Sequence, residues 1–126
     1  MTFIPTKIHG FLDYGTGILL MLLSPILNYR FSASESIILF TCAGLVLINA
    51  IITRFELGVF RVISVRAHLT ADILAGAFLV TSPVLFKFSE SVAVPHTLLG
   101  LVITVAAYFT KTVTGQGYTS RYILKQ

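Results

Sequence analysis

The 126 residues leave room for one domain; 56% are hydrophobic, 11% are charged and the mean hydropathy is +0.90. A water-facing surface usually carries about a quarter charged residues, so the composition excludes an ordinary soluble domain and points to a lipid-covered one. The net charge of +4 comes from basic residues placed singly between apolar stretches, not in a run interleaved with aromatics, which argues against a nucleic-acid-binding surface.

In chain order, Thr6 after Pro5 reads as a helix cap, and residues 8–27 are apolar apart from His9, Asp13 and small hydroxyl residues. Twenty residues at 1.5 Å rise cover roughly the 30 Å hydrocarbon core, so this is the first expected transmembrane helix. No small-residue cleavage site follows it, so it is expected to stay attached and not to act as a signal peptide. Pro25 falls near its end, and Asn28 to Glu35 form a short polar turn. Residues 36–53 are a second span whose polar residues are few, chiefly Thr41, Cys42 and Asn49. Cys42, the single cysteine, has no disulfide partner within the chain, and Asn49 is read as an interhelical hydrogen-bonding residue.

Between 54 and 66, Arg54, Glu56, Arg61 and Arg66 alternate with large apolar residues, a pattern that suits an amphipathic segment at the membrane interface. Residues 67–86 then repeat the first span, 87–91 its turn, and 92–110 the second span. His96, after Pro95, is read as a helix-end residue at the opposite headgroup boundary. The polar tail, 113–126, is expected to be exposed or interfacial. The chain thus divides into a first repeat over 1–53, a linker over 54–66 and a second repeat over 67–112.

The repeat carries the chemistry. His9, Asp13 and Gly17 lead to Ser24-Pro25, and 59 positions later His68, Asp72 and Gly76 lead to Ser82-Pro83. Steps of four keep side chains on one helical face, so each histidine stands one turn from its aspartate. An aspartate inside a span faces the bundle interior and takes a partner. Three readings are open. The pairs can hold helices together as polar contacts. If the first and third spans face each other, His9, Asp13, His68 and Asp72 converge as two nitrogen and two oxygen ligands, a set that suits a divalent metal such as zinc, with iron, manganese or nickel as other choices. The same residues can also relay protons, because histidine titrates near neutral pH. Haem ligation by His9 and His68 has nothing further in its favour.

Other chemistry is excluded or bland. Gly10, Gly17, Gly44, Gly76 and Gly100 are expected to let helices approach, in packing or in a homo-oligomer, and none sits in a phosphate-binding loop. Ser24 and Ser82 lie about four turns from the nearest histidine, too far for serine nucleophilic catalysis. A lipid-directed metalloenzyme needs an open metal position and a cleft facing the bilayer, so the balance is against an enzyme. Seven basic residues (Lys7, Arg54, Arg61, Arg66, Lys111, Arg121, Lys125) would lie on one side against Arg30 and Lys87 on the other, which places both termini in the cytoplasm of a multi-pass protein.

The paired Ser-Pro helix ends, Phe55-Glu56-Leu57-Gly58, Val65-Arg66-Ala67-His68, Pro95-His96 and Thr110-Lys111-Thr112 together resemble the bacterial SPW-repeat membrane proteins, over nearly the whole chain to about Thr112. The family takes its name from Ser-Pro-Trp; here Ile26 and Val84 follow the two Ser-Pro pairs, and the chain has no tryptophan. The resemblance implies a small inner-membrane protein built from two-helix repeats, and it implies no activity. Together these readings predict an all-α, four-helix membrane bundle of two tandem hairpins.

Overall fold

In the computed structural model, residues 1–114 are described, and the part of the expected polar tail beyond them lies outside. Four helices follow one another: α1 (Thr6–Ile26), α2 (Ser34–Ile52), α3 (Val65–Leu85) and α4 (Glu90–Phe109). Among the described residues the fold is all-α, with two isolated β-bridges, Ile4 to Thr110 and Thr53 to Ile63.

Each helix starts two residues before the expected position and ends one residue before it. The first turns contain polar residues, such as Thr6-Lys7 and Ser34-Glu35, that a search for apolar runs leaves out. Thr6 is a correction of a different kind. Pro5 is the cap position, and the Thr6 hydroxyl, already inside the helix, donates to Glu56 Oε2 at 2.7 Å. Proline in the first flanking position suits a helix start, because its missing donor would have had no partner there.

Both Ser-Pro helix ends stop in the same way. Asn28 and Lys87 follow them with φ of 56° and 54°. After α1, Tyr29 N–H donates to Ser24 O and Asn28 N–H to Pro25 O, the paired bonds of a Schellman ending. Phe88 N–H donates to Pro83 O at the end of α3. A left-handed residue turns the chain back, so α1 with α2 and α3 with α4 form the two closely packed hairpins.

Helices α2, α3 and α4 are each long and apolar enough to cross a membrane. Helix α1 is as long as α3 but is diluted, between Thr6 and Gly17, by His9, Asp13, Tyr14 and three glycines, Gly10, Gly15 and Gly17. The buried stripes of α1 and α3 correspond: Thr6, His9, Gly10, Asp13, Gly17, Leu20 and Ser24 in one, Val65, His68, Leu69, Asp72, Gly76, Leu79 and Ser82 in the other. Steps of three and four put these residues on the facing sides. One apolar cluster around Leu20, Leu39, Cys42, Val46 and Leu79 and another around Ala50, Phe55, Val65, Leu69 and Ala107 make the core.

The glycines divide by what faces them. At Gly76 an added Cβ would stand 2.7 Å from Gly100 O and 3.0 Å from Thr104 N, so here α3 and α4 meet backbone to backbone. At Gly10 it would run into the Phe55 ring, and at Gly17 it would meet Leu47 at 2.6 Å. Gly44 allows no close approach within the chain, because a Cβ there meets nothing within 4 Å. The register explains this. Thr53 and Thr110 end α2 and α4 with the same bond to the carbonyl four residues earlier, and counting back from them aligns Gly100 with buried Ala43, not Gly44.

Residues 54–64, expected to be an interfacial amphipathic segment, contain no helix and fold back onto the end of α2. Val59 and Phe60 N–H both donate to Ile51 O, and Val62 and Ile63 N–H to Ile52 O, so the last carbonyls of α2 are satisfied by the linker. Phe55 turns inward to 3% exposure, while Val59, Phe60 and Val62 stay exposed.

Candidate metal centre

The first turns of α1 and α3 bring His9, Asp13, His68 and Asp72 together. One ligand atom from each lies within 4.8 Å of all the others, and the four residues are only 1–4% exposed. His9 Nε2 stands 3.1 Å from Asp72 Oδ2 and 3.4 Å from Asp13 Oδ1; His68 Nε2 stands 3.0 Å from Asp13 Oδ2 and 3.0 Å from Asp72 Oδ2. Each histidine therefore reaches across to the other repeat's aspartate as well as down its own helix. The two rings meet edge to face with centroids 5.3 Å apart.

The outer ring nitrogens fix the chemistry of the inner ones. His68 Nδ1 lies 3.0 Å from Thr53 Oγ1, and His9 Nδ1 lies 3.0 Å from Thr110 Oγ1. Thr53 Oγ1 is also 2.5 Å from Asn49 O, and Thr110 Oγ1 is 2.6 Å from Ala106 O. Two oxygens that close must share a hydrogen, and a carbonyl has none, so each threonine gives its only proton to the backbone. Each hydroxyl then accepts from the histidine, and Nδ1 carries the hydrogen. Both Nε2 atoms are left facing the carboxylates. A neutral imidazole aims a lone pair at the centre of the cluster, which calls for a metal ion there or for a proton between each ring and a carboxyl group.

The donor set is one a tetrahedral ion takes, and its nitrogen–oxygen separations come near those of such an ion, although Asp13 turns a different oxygen to each histidine and the four ligand atoms spread to 4.8 Å. Ligands held about 2.0–2.1 Å from such an ion stand about 3.3 Å from one another. The four nitrogen–oxygen separations run from 3.0 to 3.4 Å. Two neutral imidazoles and two carboxylates sum to two negative charges, which one divalent ion or two protons cancel. The Thr53 and Thr110 hydroxyls hold the histidines in the ligating tautomer, the role that outer partners play around metal ligands.

Asn49 breaks the symmetry. Its Nδ2 donates to Asp72 Oδ1 at 2.8 Å and to His68 O at 3.1 Å, and in the register set by the two threonines its counterpart is Ala106. Asp72 is thereby held by α2, while among the described residues Asp13 is held through the histidines. Above the cluster, the Phe55 ring lies 5.6 Å from the His68 ring, and Tyr14 Oη donates to Leu57 O at 3.0 Å, so the linker is pinned to α1 and shields the site.

Reading the sequence alone missed Thr53, Thr110 and the inward turn of Phe55. The one available signal was a threonine ending the second span of each repeat. His96 is also placed differently from the expectation. It is fully buried in the second turn of α4, with Nδ1 2.8 Å from Val92 O and Nε2 3.2 Å from Glu35 O, and it ties α4 to the start of α2. Ser24 and Ser82 stay away from the histidines: Ser24 Oγ pairs with Ser36 Oγ, and Ser82 Oγ donates to Leu79 O.

Three helices apolar enough to cross a membrane, packed with α1 around a buried His/Asp cluster, define a helical membrane-protein class with a candidate cation site. The sequence model of the SPW repeat domain matches residues 7–110, and the chain belongs to that family. No curated protein and no solved structure matches it. Ile26 and Val84, which follow the two Ser-Pro pairs, are 62% and 82% exposed, so replacing tryptophan at these positions removes no core packing.

Proposed function

We propose that this protein is a multi-pass membrane protein that holds one divalent metal ion of the zinc class between its two repeats, through His9, Asp13, His68 and Asp72. The observation that carries this reading is the pair of threonine-locked histidines, whose Nε2 atoms converge on two carboxylates. All four tetrahedral positions are supplied by protein, as in closed structural sites, which favours a clamp over a catalytic centre. The ion would tie α1 to α3, and so one hairpin to the other.

The second reading has two protons in place of the ion, one on each Nε2. It gives the same net charge and is favoured by separations of 3.0–3.1 Å, which suit imidazolium–carboxylate hydrogen bonds. The two forms are linked, because metal must displace those protons. In this account α1 is a fourth span with Phe11, Ile18 and Leu22 on its exposed side, and both termini lie on the cytoplasmic face of a bacterial inner membrane.

Elemental analysis of detergent-purified protein tests the reading. Wild type is expected to carry close to one equivalent of a divalent metal, and the His9→Ala/His68→Ala double variant almost none, with helix content retained by circular dichroism. A metal-free wild type that also fails to take up added zinc would leave the pairs as helix-packing contacts.

A further inference from the structure

A cleft of about 420 Å³ opens between α2 and α3 on the outer side of the cluster. Its walls include Leu45, Ile48, Leu74 and Phe78, all exposed apolar residues, and Asn49 and Asp72 lie at its polar end. From Thr41 to Ile52 it follows α2 for twelve residues, about 16 Å at 1.5 Å rise. That is about half the hydrocarbon thickness, enough for part of one chain of a lipid. The polar end sits at the Asn49 level, one turn from the end of α2.

Asn49 is nine-tenths buried, with 9% exposure. Its Nδ2 already donates to Asp72 and His68, which fixes the orientation of the amide and leaves Oδ1 as its other polar atom. Among the described residues nothing donates to Oδ1. No fully buried side-chain oxygen or nitrogen there lacks a partner, so Oδ1 keeps some open surface. An acceptor without a donor at the end of an apolar cleft selects a molecule with a hydroxyl or N–H at the end of a hydrocarbon chain. An ester-linked acyl chain brings no such donor to this depth.

We propose that the α2/α3 cleft binds a single-chain lipid bearing a hydroxyl group, whose O–H donates to Asn49 Oδ1 while its chain lies along Leu45, Ile48 and Phe78. The site is independent of whether the cluster holds a metal, although its polar end touches Asp72. The alignment of Asn49 with Ala106 confines the polar contact to this pair of helices.

The test uses the full-length protein in phosphatidylcholine nanodiscs with two probes, hexadecanol carrying a mid-chain diazirine and its methyl ether, which cannot donate. After photolysis, mass spectrometry should find the alcohol attached to cleft residues about five-fold more than the ether, the effect of one neutral hydrogen bond. Asn49→Ala should lower the alcohol to the level of the ether. Ala75→Phe, which fills the cleft without touching the cluster, should abolish labelling there by both probes. Equal labelling of wild type by alcohol and ether would overturn the proposal, as would an unlabelled cleft, including one in which cross-links between chains show it filled by a second copy.

Discussion

Thr53 and Thr110 determine what His68 and His9 can do. Each hydroxyl spends its proton on a helix carbonyl and so takes one from the ring, leaving the other nitrogen for the cluster. Replacing Thr53 with valine keeps the shape and removes the acceptor, and should weaken zinc binding roughly 10–100-fold, as loss of such outer partners does. Thr110→Val should do the same, and competition with a chromophoric chelator measures both. At Asp13, asparagine removes a charged ligand and should cost more affinity than either threonine change. The His/Asp residues themselves were legible as candidates, because ionisable residues repeated at steps of four inside two apolar helices share one face, but that pattern left glue, metal and proton relay all open. Their outer partners were not, because Thr110 meets His9 from 101 residues away and pairing between helices leaves no local pattern.

Helices were legible as elements, since apolar runs of about 20 residues bounded by polar turns allow little else in a chain of this composition. The register between repeats was less so. Pairing the two repeats glycine with glycine sets Gly44 against Gly100, one residue out of step with the ends of α2 and α4, where buried Ala43 is the counterpart. Two substitutions separate these positions. Gly76→Ala forces α3 and α4 apart where the new Cβ would meet backbone, and should lower stability in detergent by roughly 1–3 kcal/mol. Gly44→Ala enters open space and should be neutral or slightly stabilising, since alanine is the better helix former. A large loss at Gly44 would instead mean that another chain packs against it.

For the whole molecule, four helices in two antiparallel hairpins return the chain to the side on which it began. Residues of the first turns of α1 and α3 therefore share one level with the ends of α2 and α4, which is why His9, His68, Thr53 and Thr110 can meet. Cysteines placed at Thr2 and Lys111 should be shielded from an impermeant maleimide in intact cells and react with it from the cytoplasmic side in inverted membrane vesicles, with buried Cys42 silent in both cases. Labelling of only one of the two from that side would show that α1 does not cross. Zinc-edge X-ray absorption of the purified, zinc-loaded protein reads the ligands of the ion themselves. Four nitrogen or oxygen scatterers at about 2.0 Å are expected, with no sulfur, and with outer-shell scattering from two imidazoles that disappears with His9→Ala/His68→Ala. A spectrum with six oxygen-type neighbours and no imidazole signal, or one unchanged in the double variant, would place the ion elsewhere and contradict the four-residue centre.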